Sequence, residues 1–161
     1  MKQLLITLIS IIGSCSLAFA GDKQPVISSV PESSFGAAKV FATSIIEDSD
    51  AIYGGGVSLE VPVVLGLNLE VTGSYFEDDT FSAGANLLYY VPIVQNLNLY
   101  TLTGGGYEFE TDRWYVGVGG GVSYSFTNQW SLFADGQYNF LPEGSDNEGT
   151  TSVRLGVKYS F

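Results

Sequence analysis

Apolar and polar residues alternate with a period of two through most of this chain, a pattern that selects β-strands over amphipathic helices. The clearest case runs from Gly66 to Phe76, where Leu67, Leu69, Val71, Gly73 and Tyr75 share one face and Asn68, Glu70, Thr72 and Ser74 the other. The same alternation marks segments near 36–46, 51–61, 66–76, 80–91, 97–108, 113–126, 130–141 and 150–161, separated by short turn-like stretches. Eight strands are predicted. Each is about 11 residues long, the length at which a tilted strand crosses the hydrocarbon layer of a membrane.

The connections between these segments alternate in character. Pro62 to Leu65, Pro92 to Asn96 and Thr127 to Gln129 are compact and free of charge. The other set is acidic: Glu47, Asp48 and Asp50; Glu77, Asp78 and Asp79; Glu108, Glu110 and Asp112; Glu143, Asp146 and Glu148. Neutral turns at one rim and charged loops at the other fit an up-and-down meander whose ends face different compartments. Val61-Pro62-Val63-Val64 through Asn68-Leu69 is repeated as Val91-Pro92-Ile93-Val94 through Asn98-Leu99, which favours a meander over a Greek key.

A water-soluble barrel of eight alternating strands would carry its charges on the polar face. Here only 14% of residues are charged, and the polar face is mostly Gly, Ser, Thr and Asn. The charges that fall on it are Lys39, Glu60, Glu70, Asp135, Arg154 and Lys158, balanced in sign and placed on neighbouring strands; with strand eight closed onto strand one, Lys158 and Lys39 lie near the same rim as Glu60, and Arg154 is flanked by Asp135 and sits within two strands of Glu70. That arrangement predicts an interior network, since buried charges persist only when paired. The opposite face carries Leu67, Leu69, Val71, Leu87, Leu97, Leu99, Val116, Val118, Leu132, Val153, Leu155 and Val157. Tyr53, Tyr75, Phe81, Tyr107, Trp114 and Phe140 bracket it at the acidic end, and Tyr89, Tyr124, Phe126, Trp130, Tyr159 and Phe161 at the other, as membrane interfaces favour. The fold expected is all-β: an eight-stranded antiparallel up-and-down transmembrane β-barrel.

Ahead of the barrel, residues 1–20 read as a secretory signal, with Lys2, an apolar run from Leu4 to Ile12 and Ala18-Phe19-Ala20 at the cleavage site. A rival reading takes Ile12-Gly13-Ser14-Cys15 as a loose lipoprotein box with Cys15 lipidated. Cys15 is the single cysteine, so a chain cleaved after Ala20 has no disulfide and no thiolate metal site. Residues 21–35, with Pro25, Pro31 and no periodicity, are expected to form a flexible lead-in, and 36–161 the barrel.

Leu155, Val157, Tyr159 and the final Phe161 alternate with Arg154, Gly156, Lys158 and Ser160. This resembles the C-terminal signature of bacterial outer-membrane proteins, and with the leader and the strand pattern the whole chain resembles the small outer-membrane β-barrel family of opacity-type proteins and the transmembrane domain of outer membrane protein A. The resemblance implies a Gram-negative outer membrane, a terminal aromatic read by the barrel-assembly machinery, a periplasmic C-terminus and acidic loops outside the cell. It implies outer-membrane lipid and lipopolysaccharide as surroundings and a monomer as the working unit. The loops are short for an opacity-type adhesin, and no peptidoglycan-binding domain follows, so binding roles within that family are not carried over.

The chain contains no histidine, the usual catalytic base and transition-metal ligand. No catalytic residues, cofactor or metal site are expected. Glycine triplets at 54–56, 104–106 and 119–121 lead into no helix and no Gly-Lys-Ser/Thr sequence, so they are read as making room for inward rings such as Tyr100, Tyr115 and Phe133. Phe41, Leu88, Tyr90, Leu102 and Phe133 would fill an eight-stranded interior and exclude a wide channel. The alternatives left open are a narrow conduit or binder for small hydrophobic molecules, and a surface adhesin acting through loops 77–79 and 143–148. The acidic rim, with Arg113 as its lone cation, is read mainly as a hydrated edge, with weak Ca²⁺ or Mg²⁺ bridging to lipopolysaccharide as the other option. A nucleic-acid partner does not fit a net charge of −11.

Overall fold

The computed structural model describes residues 36–47, 50–64, 66–141 and 149–161. The leader, Cys15 and the lead-in 21–35 lie outside the described residues, as do Asp48 and the acids Glu143, Asp146 and Glu148.

Eight strands follow one another: β1 (Ala37–Glu47), β2 (Asp50–Val64), β3 (Leu67–Phe76), β4 (Phe81–Val94), β5 (Leu97–Glu108), β6 (Arg113–Ser125), β7 (Trp130–Phe140) and β8 (Gly149–Ser160). Each pairs antiparallel with the next, and β8 returns to β1, so the sheet closes into a barrel with no free edge. Closure satisfies every strand's backbone groups from within, the condition for a sheet surrounded by lipid. Following directly paired residues from Trp130 through Tyr159, Ala38, Leu59, Val71, Ala85, Gly105 and Val116 returns to β7 at Phe140, ten residues along the strand. A stagger of that size in eight strands tilts them by roughly 35–45° to the barrel axis.

The predicted strands 51–61 and 80–91 end too early. Both β2 and β4 run on through Pro62 and Pro92 to Val64 and Val94, with a register shift between Pro62 and Val64 and another between Pro92 and Val94. Proline cannot donate to the ladder, and a bulge is where a strand tolerates that loss. The repeated Val-Pro element is therefore a bulged strand end rather than a turn. The turn after β2 includes Gly66 at φ 76°, a left-handed conformation natural to glycine. At the acidic end, Asp79 and Asp112 take positive φ in the tight β3–β4 and β5–β6 connections. Aspartate tolerates that region better than most residues because its short side chain bonds locally, and Asp79 Oδ1 accepts from Tyr75 Oη at 2.6 Å.

The alternation sorts residues cleanly between the two faces of the wall. Val40, Val57, Leu59, Val71, Leu87, Val116, Leu132 and Leu155 stand exposed outside, Val40 at 66% and Leu155 at 63%. Inside, Phe41, Leu88, Tyr100, Leu102 and Phe133 are buried. Glycines supply the space these rings take. A Cβ on Gly56 would lie 2.6 Å from Phe41 Cζ, and one on Gly121 2.6 Å from Tyr100 Cζ. Phe133 instead meets Phe41 edge-on, with centroids 6.3 Å apart.

Candidate functional site

The six charged residues of the polar face meet inside the barrel. Register explains why they must pair across strands. Glu60 lies directly opposite Glu70 on β2 and β3, and Lys39 directly opposite Lys158 on β1 and β8, so each nearest ladder neighbour carries the same sign. The two like-charged pairs stand side by side on four consecutive strands, β8–β1–β2–β3, with Lys39 and Glu60 diagonal neighbours on β1 and β2. Lys39 Nζ reaches Glu60 at 2.7 Å and Glu70 at 2.5 Å, while Lys158 Nζ donates to Glu60 Oε1 at 3.0 Å. Arg154 opposes Asp135 in register and grips it with Nε at 2.7 Å and Nη2 at 2.9 Å; its Nη1 donates to Glu70 Oε1 at 2.9 Å. A continuous chain results: Lys158, Glu60, Lys39, Glu70, Arg154, Asp135. It is deeply buried, with Glu70 at 0% and Lys39 at 1% exposure.

Neutral groups complete it. Tyr90 Oη donates to Glu60 at 2.9 Å and Tyr100 Oη to Asp135 at 2.6 Å. Ser58, Thr72 and Asn86 donate to Glu70, and Asn68 to Glu60. Lys158 sits 4.7 Å above the Tyr90 ring and Arg154 5.2 Å from that of Phe41. With three cations, three carboxylates and these donors, almost every lone pair and N–H has a partner, which is what makes buried charge tolerable in a low dielectric. Sequence reasoning treated Tyr90 and Tyr100 as fillers; their hydroxyls are members of the network. The alternation put both rings inside, but only the stagger shows which carboxylate each one meets.

A second charged group lies at the acidic mouth, outside the six residues of the predicted plug. Glu108, grouped by sequence with the loop acids, is instead buried at the end of β5 and pairs in register with Arg113. The signal was present, since the alternation of Tyr100, Leu102, Gly104 and Gly106 carried one step further puts Glu108 on the inward face. Arg113 donates to Glu108 Oε2 through Nε at 3.0 Å and Nη2 at 2.8 Å, and its Nη1 lies 3.7 Å from Glu47 on β1. Among the described residues no group of three or more acidic side chains is placed to share a metal ion.

The terminal signature residues Leu155, Val157 and Tyr159 lie on the outward face of β8, and Phe161 follows its end, donating its amide to Gly36 at 3.1 Å. Exposed aromatics ring both ends: Tyr53, Tyr75, Phe81, Trp114 and Phe140 at the acidic mouth, and Tyr89, Tyr124, Phe126, Trp130 and Phe161 at the neutral one.

Among solved structures, the N-terminal β-barrel domain of Pseudomonas aeruginosa OprF superposes with a TM-score of 0.59 at 19% identity, over 78% of this chain and 99% of that one. The fold is that of the eight-stranded outer-membrane β-barrels. A de novo designed transmembrane β-barrel matches nearly as well, at TM-score 0.57 and 17% identity over 78% and 96% of the two chains. A designed barrel was never selected for a biological task, so the likeness speaks to fold and not to role. Ail, the attachment invasion locus protein of Yersinia pestis, solved with the heparin analogue sucrose octasulfate, matches at TM-score 0.51 and 15% identity over 78% and 97%. No protein-family profile matches the chain, and no curated protein sequence does.

Proposed function

We propose that this protein is an integral outer-membrane barrel with a structural or surface-presenting role, closed to diffusion and without catalytic activity. The observation that carries this reading is the placement of polarity: a belt of exposed aliphatic side chains between two aromatic rings, wrapped around an interior of paired charge. Water does not favour that order, and lipid does. Lys39, Glu60, Glu70, Asp135, Arg154 and Lys158 serve as a polar plug. Leu155, Val157, Tyr159 and Phe161 present the barrel to the assembly machinery, the C-terminus stays periplasmic, and the acidic mouth faces outward among lipopolysaccharide. The working unit is the monomer.

A conduit for small apolar molecules would need an opening in the wall, and the ladder continues across all eight seams. An adhesin acting as Ail does toward a heparin analogue would need cations at its surface. Here Arg113 is the one cation of the described rim, so a sulfated polyanion would meet repulsion. Loop 143–148, the other candidate for adhesion, lies outside the described residues.

The deciding experiment is gel migration of the membrane fraction with and without boiling. A closed barrel is expected to resist SDS until heated and to change its apparent mass on boiling. An unshifted band recovered from the soluble periplasmic extract would mean that the exposed aliphatic face is not a lipid face.

A further inference from the structure

Between the Arg154 layer and the acidic mouth lies a chamber of about 40 Å³ whose lining mixes polar Ser74, Asn86, Gln137 and Asn139 with apolar Ile45 and Phe76 and includes Glu108. Its floor is Arg154, already committed to Glu70 and Asp135. Asn139 Oδ1, buried in the wall, has no hydrogen-bond partner among the described residues and leaves an acceptor for a water or a polar solute. A pocket of that size and polarity suits a few waters or one small polar solute. Above it, among the described residues, Arg113 reaches from one side of the mouth to the other. Arg113 stands on β6 and Glu47 on β1, with β7 and β8 between them in the barrel order, so their 3.7 Å contact crosses the opening instead of following the ladder. The guanidinium is held at its base by two hydrogen bonds to Glu108 on the adjoining strand, with Thr111 Oγ1 donating to the same oxygen at 3.0 Å.

We propose that Arg113 is a strap across the acidic mouth, anchored on Glu108 and latched on Glu47, which controls access of small polar solutes to the chamber. The two ends are unequal by construction. The anchor is a short, two-pronged bond to a buried carboxylate, while the latch is long and partly exposed, the two side chains being 25% and 22% accessible. A pair of that kind is weak and screened by salt. The latch therefore opens while the anchor holds, and the guanidinium swings without leaving its hairpin. This inference requires the barrel and its mouth, and it stands whichever membrane or detergent surrounds the outer face.

The test is thiol accessibility in the refolded barrel. With Cys15→Ser removing the native cysteine, Ser74→Cys places one thiol in the chamber and Ser131→Cys, in a parallel protein, places one in the interior near the neutral rim. Labelling by a small charged methanethiosulfonate is followed at each. Arg113→Gln and Glu47→Gln are each expected to raise the rate at position 74 by roughly fivefold, the population ratio one exposed ion pair supports, and to leave position 131 unchanged. Sodium chloride at 1 M should speed the parent at position 74 and not the Arg113→Gln protein. An Arg113→Gln protein that keeps its heat-dependent migration but labels at the parental rate overturns the strap. Equal acceleration at both positions also overturns it, because that is general loosening.

Discussion

Glu70 shows how much one residue can hold in this barrel. Its carboxylate accepts from Lys39 on one side and Arg154 on the other, with Ser58, Thr72 and Asn86 on the remaining lone pairs. Charges buried at this depth are costly alone and tolerable together, so the sensitive substitution is one that removes a single partner. Arg154→Ala leaves Asp135 without its cation and takes one of two cations from Glu70, which keeps Lys39. It is expected to lower the unfolding free energy by about 3–5 kcal/mol, the range for an uncompensated buried charge. Urea titration of the refolded protein in detergent measures this, and an unchanged midpoint would sink the plug. The Tyr100 hydroxyl remains on Asp135 in that variant, so the loss should fall short of collapse.

At the scale of a strand, the inward and outward faces impose different tolerances on adjacent positions. Gly55 and Gly56 are consecutive in β2, yet a Cβ on Gly55 would meet only the Phe41 carbonyl oxygen at 3.4 Å. One on Gly56 would strike the Gly73 carbonyl oxygen at 2.5 Å as well as the Phe41 ring. Gly56→Ala is therefore expected to cost about 1–3 kcal/mol by overpacking, and Gly55→Ala to be nearly neutral. Adding Phe41→Leu should recover part of the first loss in a double-mutant cycle, since the ring is the movable half of the clash. Equal effects at positions 55 and 56 would mean that the two faces do not differ as described. The bulges at Pro62 and Pro92 belong to the same scale: each lets a strand carry its apolar face one step further despite a missing donor.

For the whole molecule, the question is which medium the outer face meets, and Leu155 answers it. It stands 63% exposed on β8, midway between the aromatic rings. On a barrel in water Leu155→Arg would change stability by no more than about 0.5 kcal/mol, as surface substitutions do. In a bilayer it is expected to cost about 2–4 kcal/mol. Unfolding the variant and the parent from lipid vesicles separates the two values. The same test reads the reversed polarity directly, because an arginine is tolerated inside at position 154 and should be penalised outside at position 155, one residue away.

Strand number and strand faces follow from local pattern, because side chains on a strand alternate by geometry whatever the fold around it; the ends of β2 and β4 do not, since the bulges at Pro62 and Pro92 carry both strands past their prolines. Lys39, Glu60, Glu70, Asp135, Arg154 and Lys158 were legible as inward charges for that reason, and the two aromatic belts for the same one. Strand order also grouped Lys39 and Lys158 with Glu60, and Arg154 with Asp135 and Glu70; the individual contacts needed the closed barrel. Arg154 and Glu70 are 84 residues apart, and whether they touch depends on the ten-residue stagger at which the sheet closes, a property of all eight strands at once. The same closure seats Lys39 between two glutamates, gives the tyrosine hydroxyls their carboxylates and carries Arg113 across the mouth to Glu47. Local chemistry determined which side chains face inward; the closed barrel alone decided which of them meet, since distance across a lumen is set by curvature and register and is written in no single segment.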